Sequence, residues 1–290
     1  MQAVTAMRLR LRDYAMLMRW HRPIGALLLL WPTLWALLIA GAGRPSPLVV
    51  IVFVAGVFVM RSAGCVINDF ADRDFDPHVK RTRGRPIASG RVTPREAIAL
   101  FIVLCVAGLA LVMLLNALTV ALAFIGAFLA ASYPFTKRFT HLPQLYLGLA
   151  FGWGIPMAFS AETGAVPIAA WVLLGANIFW SVAYDTEYAM VDRDDDARIG
   201  VKSTAILFGR WDRALVAASH VLTILFLAWG GALAGRGLLY YSGLAVAAAI
   251  AAYQQTLIRT RERDRCFSAF MNNNYFGAAV YIGLLLDYYR

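Results

Sequence analysis

Charge is what this chain has least of. Only 15% of its 290 residues are charged and 60% are hydrophobic, with a mean hydropathy of +0.64. Soluble domains carry about 25% charge, so this composition excludes an ordinary soluble globule and makes each charged residue informative. Cysteine is also scarce. Cys65, Cys105 and Cys266 lie far apart in apolar stretches, which excludes a disulfide framework and a thiolate metal site. A cleavable leader is excluded too: the first apolar run is too long for a signal-peptide core and contains Trp31-Pro32, so it reads as a retained span despite Ala40-Gly41-Ala42.

Apolar runs are abundant instead. Stretches of about 17–22 residues, long enough to cross a bilayer, fall near 24–43, 47–67, 97–115, 117–133, 143–161, 166–184, 214–234, 237–256 and 268–286. They predict an all-α polytopic membrane protein, a single domain over 1–290 with about nine spans. Residues 1–23 read as an amphipathic lead-in in the membrane interface, with Tyr14, Leu17 and Met18 on one face. The net charge of +10 invites a nucleic-acid reading, but the cations alternate by side of the membrane. Of the 27 Lys and Arg residues, only Arg44, Arg236 and Arg290 fall on the second side and Arg61 lies within a span. The positive-inside rule then sets the N-terminus in the cytoplasm and the C-terminus outside. The excess positive charge is orientation signal and lipid contact, with no nucleic-acid partner.

The scarce acids are clustered. Asn68-Asp69-Phe70-Ala71-Asp72-Arg73-Asp74-Phe75-Asp76 follows the second span, and on a continuing helix Asn68, Asp72 and Asp76 share one face at i, i+4 and i+8. Asp185, Asp192 and Asp196 form a second ladder after the sixth span. Clustered carboxylates repel unless a cation lies between them, and oxygen ligands suit a hard divalent ion, so the two ladders read as half-sites for Mg²⁺. Both face the cytoplasm in this topology.

Cations lie beside them. Arg61, on the same face as Asn68 but two turns deeper, belongs in an internal polar cavity, since a charge within a span costs about 2.5–3.5 kcal/mol. The loop Pro77-His78-Val79-Lys80-Arg81-Thr82-Arg83-Gly84-Arg85-Pro86 can wrap an anion rich in phosphate oxygens. Ser132-Tyr133-Pro134-Phe135-Thr136-Lys137-Arg138 offers Lys137 and Arg138 to a carboxylate or diphosphate. Asn177, Ser181 and Asp185 form a polar stripe that runs into the second ladder, and Gly148, Gly152, Trp153, Gly154 and Pro156 permit close helix contact or a kink beside a cavity. A weak repeat of span, span, acidic ladder and basic loop covers 24–95 and 143–213. Asn272-Asn273-Asn274 has no explanation at this level. Paired carboxylates, metal and cations are what a diphosphate leaving group needs, and apolar helices can house a hydrocarbon tail. A cation-coupled transporter is the rival from another class, but it calls for charge deep in several spans.

Asn68-Asp69-x-x-Asp72-x-x-x-Asp76 and Asp192-x-x-x-Asp196 resemble the paired motifs of the UbiA superfamily of membrane prenyltransferases. The stretch Tyr184–Asp196, with Gly200-Val201-Lys202-Ser203-Thr204-Ala205, Arg22-Pro23-Ile24-Gly25, Leu30-Trp31-Pro32-Thr33 and Val79-Lys80-Arg81-Thr82, is similar to its 4-hydroxybenzoate polyprenyltransferase branch in ubiquinone biosynthesis. The resemblance covers essentially the whole chain. It implies a nine-helix bundle around a central cavity open to the cytoplasm, in a bacterial inner membrane, using Mg²⁺, polyprenyl diphosphate and 4-hydroxybenzoate. It assigns Asn68, Asp72, Asp76, Asp192 and Asp196 to metal, with Asp72, Asp192 and Asp196 catalytic. Asn68, Arg73, Lys80 and Arg81 become candidates for diphosphate, Arg61 or Arg138 for the acceptor carboxylate, and Lys137, Asp185 and Tyr188 for substrate contact.

Overall fold

The computed structural model describes residues 2–78, 82–136 and 138–290, without the side chains of residues 2–6 and 199. Its regular structure among these residues is helical throughout. Helix α1 (Gln2–Leu17) leads into α2 (Ile24–Ala40), α3 (Pro47–Ala71), α4 (Pro94–Val112) and α5 (Ala117–Thr136). Then follow α6 (Pro143–Gly152), α7 (Gly154–Thr163), α8 (Ile168–Ile199), α9 (Thr204–Phe208), α10 (Asp212–Leu233), α11 (Leu238–Leu257) and α12 (Arg263–Tyr288). By length and composition α3, α4, α5, α8 and the run Thr204–Leu233 can cross a membrane, and α2 is a shorter apolar helix. The expected spans at 237–256 and 268–286 coincide with α11 and most of α12.

Helices are forced in such a medium because no water can satisfy a free backbone group. Apolar residues surround several of them, so burial and not hydropathy tells which face meets protein. In α4 only Ala97 and Val112 are buried, while Ile102, Val103, Val106 and Leu109 point outward with Phe124, Ile125 and Phe128 of α5. These two helices are the lipid-facing wall. The densest packing lies across α2, α7, α8, α10, α11 and α12, where Trp35, Trp180, Tyr240, Phe276 and Leu227 are sealed from solvent.

Two expectations are corrected. The fifth span is two helices, α6 and α7, broken at Trp153 between Gly152 and Gly154. Trp153 itself keeps helical dihedrals (φ −63°, ψ −20°), but Pro156 has no N–H to return to Gly152 O, which interrupts the backbone ladder there; the Trp153 indole N–H donates to Leu122 O of α5 at 2.8 Å and Asn177 Nδ2 to Gly148 O at 2.8 Å. The lead-in is also more than an interfacial strip. Leu17 is fully buried with Val66, Ile87, Val92 and Ala97, and Tyr14 and Met18 pack beside it, so α1 is a strut under α3 and α4.

Close approach without side chains holds the other end together. A Cβ on Gly243 of α11 would stand 2.8 Å from both Gly283 Cα and Ala279 O of α12. Gly243→Val must therefore push two backbones apart, which costs about 1–3 kcal/mol. The expected readout is a lower unfolding temperature in detergent, and an unchanged one would show that this contact is not tight.

Candidate active site

Helix α3 delivers Arg61, Asn68 and Asp69 in its second half and then stops. Asp72 caps the helix, its N–H bonded to Asn68 O at 2.9 Å, and the chain folds into a 3₁₀ turn over Asp76–His78. The expected i, i+8 ladder is thus broken between Asp72 and Asp76. Acidic side chains are unfavourable at a helix C-terminus and Pro77 has no N–H to continue the backbone ladder. Asn68 Nδ2 still donates to Asp72 Oδ2 at 3.1 Å, so the first half of the motif survives as a pair.

The fold-back creates a clamp that the spacing did not reveal. Arg85 reaches Asp76 at 2.8 Å and Asp69 at 3.1 Å, and Arg19 holds both oxygens of Asp69 at 2.7 and 2.9 Å. Both carboxylates held by Arg85 and Arg19 are nearly solvent-free: Asp69 is 1% exposed and Asp76 5%. Burial, with Asp72 and Asp69 nearby, pushes the Asp76 carboxyl up from its ordinary value, while Arg85 opposes that shift. Arg19 itself sits at a positive φ of 60°, a strained conformation for a residue with a long side chain.

Above the clamp opens a cavity of about 790 Å³. Its polar mouth holds Arg19, His21, Arg22, Asn68, Asp69 and Arg85; its middle holds Arg61, Tyr133, Tyr184, Asp185 and Tyr188. The remaining wall is apolar and aromatic, with Phe101, Leu109 and Phe124 on the lipid-facing helices and Phe151, Phe267 and Phe270 opposite. Tyr133 stands within electrostatic reach of Asp185 on α8, Asp72 on α3 and Arg61. The two acidic segments therefore converge on one polar zone.

The second ladder is helical as expected: α8 runs unbroken through Asp185, Asp192 and Asp196 until Gly200 ends it at φ 74°. Asp192 is 7% exposed. Among the sequence candidates, Arg61, Asn68, Asp185 and Tyr188 line the cavity, whereas Asp72, Asp76, Asp192 and Asp196 stand outside its lining. Arg73 turns away, lying over the Phe70 ring and 3.6 Å from Asp74. Arg138 donates to Ala71 O at 2.6 Å and covers Phe75 and Phe135, so it braces the end of α3 rather than lining the cavity. Lys80, Arg81 and Lys137 lie outside the described residues. Sequence reasoning missed Arg19, Asp69, Arg85, Tyr133 and Tyr184 as site residues; only the adjacency of Asp69 and Arg85 to the first motif signalled them.

Could this arrangement hold a metal? Among the described residues no three His, Cys, Asp or Glu side chains stand close enough to do so. The polar side chains available near the cavity, Asn68 paired with Asp72 and the α8 carboxylate Asp185 of the cavity lining, nevertheless offer oxygen donors. Mg²⁺ is commonly held by one or two carboxylates plus substrate phosphates rather than by an all-protein cage. The residues fit that mode, with the ion arriving alongside a phosphorylated ligand.

A family profile described as the UbiA prenyltransferase family matches residues 29–276. The chain is 61% identical to a 4-hydroxybenzoate octaprenyltransferase of Methylococcus capsulatus over 95% of this chain and 94% of that one. It is 60% identical to a protein of the same name from Nitrosococcus oceani, over 97% and 99%. Among solved structures, a UbiA homologue from Aeropyrum pernix K1 in its apo form matches with a TM-score of 0.79 and 26% identity, over 89% of this chain and 97% of that one. A UbiA homologue from Archaeoglobus fulgidus bound to GPP and Mg²⁺ shares the fold, with a TM-score of 0.72 and 18% identity over 92% and 99%.

Removing the clamp tests its weight. Arg85→Ala leaves the buried Asp76 without its cation, a change that costs about 3–5 kcal/mol for buried pairs. Unfolding in detergent should shift accordingly, with Arg85→Lys recovering part of the loss; an unshifted Arg85→Ala would make the clamp incidental.

Proposed function

Because the chain belongs to the UbiA prenyltransferase family, we propose that it transfers a polyprenyl group from polyprenyl diphosphate to 4-hydroxybenzoate, at the ring carbon ortho to the hydroxyl, releasing diphosphate for ubiquinone biosynthesis. The observation that carries the acceptor is Arg61. It sits half-buried inside the cavity, 5.6 Å over the Phe151 ring, with no hydrogen bond or ion pair among the described residues. A guanidinium in an apolar bundle without a counter-ion is poised for an anionic ligand. Its setting among Tyr133, Tyr184 and Phe151 suits an aromatic carboxylate. Of the two arginines that the sequence offered for this role, Arg61 is favoured, because the Arg138 guanidinium is already engaged by a backbone carbonyl.

In this reading Asn68, Asp72, Asp76, Asp192 and Asp196 hold Mg²⁺, with Asp72, Asp192 and Asp196 catalytic, and Lys80 and Arg81 contribute to the diphosphate, whereas Arg73, turned onto Phe70 and Asp74, does not. Bound Mg²⁺ supplies charge neutralisation for the departing diphosphate. The cations of the mouth hold its oxygens while the allylic carbon–oxygen bond ionises. The aromatic wall of Phe151, Phe267, Phe270 and Tyr188 keeps water from the cation and faces it with ring electrons. Arg61 fixes the acid so that the electron-rich ring attacks, and the ring proton then leaves. The prenyl tail lies along the apolar wall of α4 and α5. The cation distribution supports an orientation with the N-terminus and the polar end of the cavity cytoplasmic and the C-terminus on the other side, periplasmic if the membrane is a bacterial inner one.

The test is a transfer assay with 4-hydroxybenzoate, a polyprenyl diphosphate and Mg²⁺. Product that disappears with chelator is expected, and a folded protein that makes none overturns the acceptor. Asp72→Ala and Asp192→Ala should each stay folded and lose transfer; turnover in either removes it from the catalytic set. Arg61→Ala should raise KM for 4-hydroxybenzoate about tenfold or more with little change for the diphosphate. An equal rise from Arg138→Ala would reverse the assignment.

A further inference from the structure

Asn272-Asn273-Asn274 lies mid-helix in α12, where three consecutive amides have no local use. The structure separates them. Asn272 is half-buried and bonds Ser268 O of its own helix, whereas Asn274 accepts the Trp31 indole N–H of α2 at 2.9 Å. Asn273 is fully buried and bonds two residues of α8 at once. Its Oδ1 accepts from Trp180 Nε1 at 2.9 Å and its Nδ2 donates to Glu187 Oε2 at 2.8 Å.

Trp180 and Glu187 are seven residues apart and share a face of α8. Directed bonds from one amide to both can be made in a single rotation and register of that helix, while aromatic packing alone tolerates sliding. From Trp180 the order passes to the cavity. Tyr184 stands edge-on to Trp180 at 5.3 Å and packs against Phe270 at 6.3 Å; Tyr188 packs on Phe270 at 4.7 Å. Tyr184, Asp185 and Tyr188 all line the cavity, and Asp185 and Arg61 are within electrostatic reach of the Tyr184 hydroxyl.

We propose that Asn273 is a positioning residue for the acceptor: by holding Trp180 and Glu187 it fixes α8 so that Tyr184, Asp185 and Tyr188 present one wall to the aromatic acid opposite Arg61. This rests on the reading of the cavity as a 4-hydroxybenzoate prenyltransferase site. Neither Asn273 nor Glu187 lines the cavity, so both act through α8.

The experiment pairs Asn273→Leu with Glu187→Leu in one chain, so that no buried carboxyl is orphaned and only the Trp180 indole N–H loses its acceptor. The doubly substituted protein should elute as wild type does and unfold somewhat earlier, yet show a KM for 4-hydroxybenzoate raised about tenfold, with KM for the prenyl diphosphate within about twofold. Glu187→Gln keeps an acceptor for the Asn273 amide and should restore acceptor KM to within about twofold of wild type. Trp180→Phe keeps the ring contact and loses the indole donor, and supplies the same readout, weaker, should the doubly substituted protein fail to fold. Wild-type acceptor KM in folded variants, or a loss shared equally by both substrates, overturns the positioning role. A wild-type protein that makes no prenylated acid overturns the functional reading, and the inference with it.

Discussion

Burying charge where no water can follow is the constraint on which this structure depends. A lone ion in an apolar bundle costs several kcal/mol, so each buried carboxylate must meet a cation or hydrogen-bond donors. The chain meets this demand at its polar end. Asp69 and Asp76 are held by Arg19 and Arg85, and Asp212, fully buried at the start of α10, is held by Arg261 at 2.7 Å and Arg193 at 3.1 Å. Arg261 is stabilised in its charged form by that hydrogen bond. These nodes join residues of α3, α8 and α10 with the segments that follow α1, α3 and α11. The helices themselves carry little that could specify such an arrangement, because Leu, Val and Ala stripes pack in many registers.

The same constraint explains the division of the cavity. Its charge is gathered at the polar end and at Arg61 and Asp185, and most of the rest of its wall is hydrocarbon and aromatic ring. A diphosphate needs the first environment and an allylic cation needs the second, since water would capture the cation and dilute the field that holds the leaving group. The lipid-facing helices α4 and α5 contribute apolar side chains both to the cavity and to the exterior, which is possible because they are apolar all round. One thin wall of two helices thus separates the chamber from the exterior that an apolar tail would cross.

Legibility followed chemistry more closely than geometry. The spans were readable because twenty apolar residues have few other uses, and α8 was readable because Asp185, Asp192 and Asp196 keep helical spacing with no breaker before Gly200. The first ladder was not, since Asp72 and Pro77 end the helix and send Asp76 back to Arg85, a contact made nine residues along the chain by a turn that spacing cannot encode. Arg19 was legible only as an orientation signal; its pairing with Asp69 spans fifty positions. Arg138 had the right charge in the right loop, and only the course of the chain shows its guanidinium committed to Ala71 O. The break at Trp153 had Gly152, Gly154 and Pro156 to announce it, and the structure shows it as a lapse in the backbone ladder with Trp153 still helical.

The second acidic motif shows how one short segment serves two purposes. Along Asp192-Arg193-Asp194-Asp195-Asp196, the residues between the two ligand candidates face outward from them: Arg193 turns to Asp212, while Asp195 meets Arg263 at 3.1 Å and Asp194 lies 3.8 Å from the same arginine. Helical geometry makes part of this split, because i+1 and i+2 turn away from the face shared by i and i+4, while Asp195, at i+3 from Asp192, stays at its edge. The intervening charges tie the last turns of α8 to α10 and α12 beside Asp192 and Asp196. An unanchored helix end frays, and a frayed end cannot hold two carboxylates at a fixed separation against their own repulsion. Charge density in this motif is therefore a mechanical requirement as much as a chemical one, and neutralising its middle would loosen the carboxylates that it separates.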